Sequence, residues 1–113
     1  MIKPSRGEVW LADLGQPKGH EQRGVRPVLV ISDDGLNKGA TELVIAIPLT
    51  TTTKNIASQI LISPPEAGLK VVSVIKCEAI ISISHERLSQ RFGFVSDATM
   101  AKVEQAVKFL LGL

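Results

Sequence analysis

The chain is expected to fold as a small, mainly β barrel with a C-terminal amphipathic α-helix. Three observations carry that expectation. Short β-branched runs alternate with turn residues over the first 95 positions, the signature of a strand-rich domain. After that point the apolar residues switch from alternation to three- and four-residue spacing, as on one face of a helix. Finally, 44% of the 113 residues are hydrophobic and none of the length is low in complexity, so a core can form without staples. One domain over 1–113 is expected.

EVWLADL at 8–14 reads as a first strand, ended by the turn residues Gly15–Gly19. RPVLVIS at 26–32 reads as a second, with Pro27 near its start, where a missing N–H is tolerated. SDDGLNKGA is read as a polar loop, and ELVIAIPL at 42–49, apolar on both faces, as a central strand. TTTTKN at 50–55 makes a loop, SQILIS at 58–63 a half-exposed strand, and PPEAGL a turn. VVSVIKCEAIISIS at 71–84 has the length of one bent strand or two short ones, and RLSQRFGFV at 87–95 closes the series with a bend or bulge at Gly93. Ser96 is a good N-cap and Asp97 suits the positive end of a helix dipole. Val103, Ala106, Val107, Leu110 and Leu111 then mark one amphipathic helix over about 97–111.

Composition narrows the function classes. A net charge of +2 permits an anionic partner without demanding one. The longest apolar stretch, LVIAIPL, is far shorter than the ~20 residues of a membrane span, and no apolar run comes after the N-terminal charges. With the lone Cys77 no intrachain disulfide can form. A soluble, cytoplasmic protein with no membrane partner is expected. His20, His85 and Cys77 lack metal-site spacing, so neither a metal nor a cofactor is expected. Aromatics make up 4% of the chain, with no tyrosine, which speaks against a stacking-based RNA-binding module.

Several residues could do chemistry. Arg26 opens a strand and precedes a proline, so its backbone is held extended. It reads either as a surface arginine or as a phosphate clamp, whose planar fork matches phosphate oxygens. Arg23 and His20 lie close by in sequence, His20 in a glycine-flanked loop where it is either solvated or a proton carrier. Thr50 comes directly after the apolar core of the central strand; if strands 26–32 and 42–49 pair, its hydroxyl emerges beside Arg26. Lys76 and Glu78 interrupt an apolar run, either as a surface ion pair or as catalytic groups, because unpaired buried charges are costly. Cys77 between them reads as a small core residue.

The stretches RGEVWLADL, KGHEQRGVRPVLVIS, IPLTTT and SVIKCEAI, in that order, resemble the MazF/PemK/Kid toxins of bacterial toxin–antitoxin systems. The resemblance runs from Arg6 to the terminal helix, and the GHEQ loop and KCE triplet place it with the PemK/Kid branch. It implies an SH3-like barrel of the PemK/MazF/CcdB kind, a homodimer, and cofactor-free, metal-independent cleavage of single-stranded RNA. A cognate antitoxin whose disordered acidic tail covers the RNA groove is implied as partner.

The family pattern falls on this chain residue by residue. Its arginine before proline is Arg26 and its strand-end threonine is Thr50, both on the scissile phosphate. Its basic-Cys-acidic triplet is Lys76, Cys77 and Glu78. Glu78 is expected as the base, with His20 and Lys76 sharing the acid and orienting roles; an imidazole pKa near neutrality suits His20 as either acid or base, so the choice of base between Glu78 and His20 stays open. Gly19, Glu21, Gln22, Arg23, Pro27 and Thr51 are expected to bind RNA. Lys and Glu stand where the branch more commonly has Arg and Asp, and Ala79 and Ile81 where it has Gln and Arg. The base preference is therefore not carried over. A rival from another class is a non-enzymatic toxin of the same fold that binds a protein such as DNA gyrase; the combination of Arg26, Thr50 and the triplet favours the nuclease.

Overall fold

Alternation of inward and outward side chains builds seven antiparallel strands among the described residues, and a change of period adds a long helix. The computed structural model describes residues 3–16, 19 and 24–113. The order is β1 (Glu8–Asp13), β2 (Val25–Val30), α1 (Asp34–Asn37), β3 (Leu43–Thr50), β4 (Gln59–Ile62), β5 (Ser73–Lys76), β6 (Ile81–Ser84), β7 (Leu88–Phe94) and α2 (Asp97–Leu111). Neighbouring strands run β4–β5–β3–β2–β1–β7, with β6 also against β3. The mainly β architecture with a terminal helix is the one the sequence predicts.

Strand β3 is the hub because its free edge is shared. Its first half pairs with β6, from Leu43↔Ser84 to Ala46↔Ile81. Its second half pairs with β5, through Leu49↔Ile75 and Thr50↔Val74. The chain passes from one partner to the other through a 3₁₀ turn at Cys77–Ala79. The apolar run 71–84 is thus two short strands.

Apolar residues cover both faces of this sheet. Val9, Leu29, Ile47, Leu49 and Ile75 point one way and meet Val103 of α2. Trp10, Ala12, Val28, Val30, Val44 and Ala46 point the other way and meet Ile83. Full burial of each large aliphatic side chain contributes about 1.5–3 kcal/mol. β3 contributes to both layers, as its unbroken apolar sequence requires.

Three local features depart from, or sharpen, the sequence reading. Residues 33–40 are not simply a loop: the Asp33 carboxylate accepts the Gly35 N–H at 2.7 Å and starts α1. Asn37, fully buried, donates to the Ser32 carbonyl at 2.8 Å and to Asp34 at 3.1 Å. Near Gly93 a bulge does occur, since Val9 pairs with Gly93 and Trp10 with Arg91, leaving Phe92 unmatched. On α2, Val103 is buried and Met100, Ala106 and Val107 pack beside it. Leu110 and Leu111 are exposed, because the last turn of the helix runs past the core it was expected to cover.

α2 is docked by a carboxylate from elsewhere. Glu66 accepts the Ser96 N–H at 2.9 Å and the Thr99 hydroxyl at 2.7 Å, while Ser96 caps Thr99 at 3.1 Å. Burial pushes the Glu66 pKa up, but the Ser96 N–H, the Thr99 and Ser96 hydroxyls and the Lys102 charge outweigh it, so the value is lowered. The same segment meets the bulge: a Cβ on Gly68, whose φ is +69°, would lie 2.2 Å from the Phe92 carbonyl oxygen.

Both contacts make stability predictions. Gly68→Ala collides with backbone and strains a left-handed residue, so urea unfolding should show a loss of about 1–3 kcal/mol. For Glu66, a folded pKa below the ordinary value of 4.5 means its stabilisation is complete above that pH and is lost as pH falls through the lowered value. Glu66→Gln should therefore cost about 1–3 kcal/mol at pH 7 and progressively less in acid, read from urea titrations across the range.

Candidate active site

Arg26 is placed by two strands. Ala12 on β1 is its partner on one side. On the other side the β2–β3 register runs through Val30↔Ala46, Leu29↔Ile47 and Val28↔Pro48; Arg26 and Thr50 each lie two residues beyond its last pair, at the same end of the two strands. Pro27 fixes the residue before it in an extended backbone, so the arginine stem leaves the sheet in a defined direction. The loop before β2 is closed at its base by two backbone bonds: Gly24 N–H to Gly15 O at 2.6 Å and Leu14 N–H to Gly24 O at 2.9 Å. Both glycines have φ above +80°, which other residues rarely adopt.

Thr50 ends β3 and is half-buried. Its hydroxyl accepts the Thr52 N–H at 3.2 Å, and among the described residues no acceptor takes its proton. A hydroxyl in that state can donate to an incoming oxygen.

Lys76 joins the same face. Thr50 pairs with Val74, and two residues along β5 comes Lys76, which pairs with Gln59 on β4. Alternation turns Arg26, Thr50 and Lys76 to one side of the sheet, with Lys76 diagonal to Thr50, a spacing of roughly 7–8 Å.

The turn at Cys77–Ala79 sends its first two side chains in opposite directions. Cys77 is fully buried and packs in the core. Burial, then the Glu78 charge, pushes its thiol up to about 11, which leaves it a core residue, as the sequence suggests. Glu78 points back out. Its Oε1 accepts the Ser58 hydroxyl at 2.8 Å and its Oε2 accepts the Gln59 amide N–H at 3.0 Å. Burial raises the Glu78 pKa, but the Gln59 bond, its own backbone N–H, the Ser58 bond and the Lys76 charge together lower it. No direct ion pair joins Lys76 to Glu78 among the described residues. Ser58 and Gln59 were not foreseen; the polar pair opening SQILIS was their only trace in the sequence.

Other expected residues fall elsewhere. Pro27 and Thr51 alternate to the opposite face from Arg26 and Thr50, where they border a cleft of about 490 Å³ with Leu69, Lys70, Gln90 and Arg91. Gly19 is exposed, with φ +59°. His20, Glu21, Gln22 and Arg23 lie outside the described residues. His85 is buried, and its backbone N–H bonds the Glu42 carbonyl at the start of β3, a strand length (about 23 Å) from Thr50. No three His, Cys, Asp or Glu residues gather as metal ligands among the described residues. No described helix is long and apolar enough to cross a membrane.

A family model described as the PemK-like, MazF-like toxin of type II toxin–antitoxin systems matches residues 5–111. The chain belongs to this family. Among its MazF relatives, an endoribonuclease MazF9 of Mycobacterium tuberculosis is 36% identical, over 96% of both chains. An endoribonuclease MazF of Staphylococcus epidermidis is 38% identical, over 96% of this chain and 91% of the relative. Among solved structures, MazF from Deinococcus radiodurans superposes with a TM-score of 0.88 at 25% identity, covering all of both chains. A mycobacterial endoribonuclease in complex with its cognate antitoxin gives 0.81 at 30% identity, covering 97% and 96%. The MazF-like fold is therefore the one observed.

The buried thiol offers a check on the site's framework. Cys77 should be unreactive toward a thiol reagent at pH 7 to 8 in the folded protein, and should react once in urea. Rapid labelling without denaturant would mean that the turn carrying Lys76 and Glu78 is open.

Proposed function

We propose that this MazF-like endoribonuclease toxin cuts single-stranded RNA at short sequences without a metal ion, using the ribose as nucleophile. The observation that carries the reading is the shared sheet face of Arg26, Thr50 and Lys76. A cationic fork, a hydroxyl donor and an ammonium converging on one patch suit the non-bridging oxygens of a phosphodiester.

In the proposed reaction the 2′-oxygen attacks the adjacent phosphorus while the bond to the 5′-oxygen breaks. One proton leaves the 2′-hydroxyl and one is delivered to the departing 5′-oxygen, giving a 2′,3′-cyclic phosphate and a 5′-hydroxyl. Arg26 and Thr50 hold the phosphate oxygens. Glu78, kept ionised by its bonds and by Lys76, takes the 2′-proton. His20 supplies the proton to the leaving oxygen, with Lys76 orienting the phosphate. About 10 Å (two strand spacings) lies between the strands of Thr50 and Gln59, and the ribose would occupy that interval. Gly19, Glu21, Gln22 and Arg23 would hold the strand from the loop side. Pro27 and Thr51 would hold it where it crosses to the opposite face.

Partners complete the proposal. The protein would act as a homodimer in the cytoplasm, inhibited by a cognate antitoxin whose disordered acidic tail lies over the same cationic face. A solution mass of one 12.1 kDa chain at micromolar concentration would count against the dimer.

The chemistry is tested on RNA in excess EDTA. Cleavage should persist, leave the ends named above, and stop when the scissile nucleotide lacks its 2′-hydroxyl. Arg26→Ala should lower kcat by ~10²-fold or more, the loss seen for one donor to a developing oxyanion. Cleavage that requires Mg²⁺, or that is indifferent to Arg26, would overturn the mechanism.

A further inference from the structure

The Gln59 side chain carries an unusual imbalance. Its amide N–H bonds Glu78 at 3.0 Å, while its carbonyl oxygen is buried with no hydrogen-bond partner among the described residues. An orphaned buried acceptor costs about 1–3 kcal/mol, and native proteins rarely keep one without a reason. Flipping the amide does not relieve the problem. An ionised carboxylate only accepts, so a flipped Gln59 would set oxygen against oxygen and would still leave its other end unmatched. The orientation is thus imposed by Glu78, at the expense of the carbonyl.

Backbone pairing does not need this amide. Gln59 is held across from Lys76 by the β4–β5 ladder, and β4 continues through Ile60↔Ile75 to Ile62↔Ser73 whatever the side chain at 59. What the amide does, with the Ser58 hydroxyl at 2.8 Å, is fix both oxygens of Glu78. That carboxylate sits on an exposed turn and would otherwise rotate freely.

We propose that Gln59, seconded by Ser58, is a positioning residue for the Glu78 carboxylate, retained for the reaction at a cost in stability. This rests on the reading of Glu78 as the base that takes the 2′-proton. The charged groups on the elements around the turn are Lys76 on β5 and, exposed on α2, Asp97, Lys102, Glu104 and Lys108. Among the described residues Lys76 is the one whose charge is felt at Glu78, and β3 and β4 bring no ionisable group. The Gln59 bond favours the ionised form. Its loss therefore raises the Glu78 pKa, and the acid limb of the rate profile, where the base becomes protonated, moves to higher pH.

The test compares the parent chain with Gln59→Met, Ser58→Ala and Glu78→Gln on one RNA oligonucleotide, chosen by mapping cuts in a random-sequence single-stranded pool. For Gln59→Met the expected result is a fall in kcat of roughly 10- to 100-fold, the scale of a misplaced reacting group. KM should stay within about twofold, the acid limb should shift upward in pH, and the melting temperature should be unchanged or higher. Ser58→Ala should move the same quantities in the same direction by less. An unmoved acid limb with normal kcat overturns the proposal while leaving the nuclease reading intact, provided that Glu78→Gln is impaired. A lost kcat with an unmoved limb and a lowered melting temperature assigns Gln59 a merely structural role and also overturns it. A parent that cuts no RNA in the pool overturns the nuclease reading, and this inference falls with it.

Discussion

Everything near the candidate site depends on the shared edge of β3. One edge of a strand cannot pair with two others along the same stretch, so on the edge away from β2 the end of β3 goes to β5 and its beginning to β6. The connection between them has to leave the ladder, turn, and re-enter within a few residues. Cys77–Ala79 does this as a 3₁₀ turn, and the turn is anchored by burying the small, soft Cys77 in the core. The ladder on either side then fixes where Lys76 ends and where Glu78 begins. Strand alternation sets Arg26, Thr50 and Lys76 on one face.

Much of this was legible in the sequence because the signals were local. The period-two runs gave strands where they were expected, and Ser96, Asp97 and the spacing through Val103 and Val107 gave α2. The pairing of the strand after Arg26 with the strand before Thr50 was also legible, and the two strands do pair from Val28↔Pro48 to Val30↔Ala46. What was not legible depended on long-range partners. Asp33 reads as a loop residue until its carboxylate is seen to cap Gly35. Leu110 and Leu111 fit the apolar periodicity of α2, yet both side chains are exposed. Pro27 and Thr51 adjoin Arg26 and Thr50 in sequence, yet alternation sends each pair to opposite faces. Ser58 and Gln59 become visible as partners of Glu78 only once β4 lies against β5.

The molecule distributes its rigidity unevenly around the site. β2 and β3 lie in the middle of the sheet, and Val28, Leu29, Ile47 and Leu49 beneath them are buried almost completely. In the phosphate-holding role proposed for it, Arg26 would be rooted in this rigid part of the sheet, as preorganised donors require. β4 is different, being an edge strand of four residues with Leu61 exposed. A carboxylate held from β4 is tethered to the less constrained margin. Two side-chain donors, Ser58 and Gln59, hold it there.

The order basic–cysteine–acidic then has a physical meaning beyond charge. In a continuous strand, residues 76 and 78 would share one face automatically, but both would be locked to the sheet. The 3₁₀ turn keeps the middle residue inward while releasing Glu78 from the ladder, so the carboxylate can be turned toward Ser58 and Gln59 instead of standing beside Lys76. That separation matters chemically. In direct contact, the ammonium would be occupied as an ion-pair partner and the carboxylate withdrawn from the proton transfer proposed for it. Held apart, Lys76 still lowers the Glu78 pKa through space and keeps its own donors for an anion. A small residue that can be buried without a polar partner is required at the pivot, and Cys77 meets that requirement without being a reactive thiol.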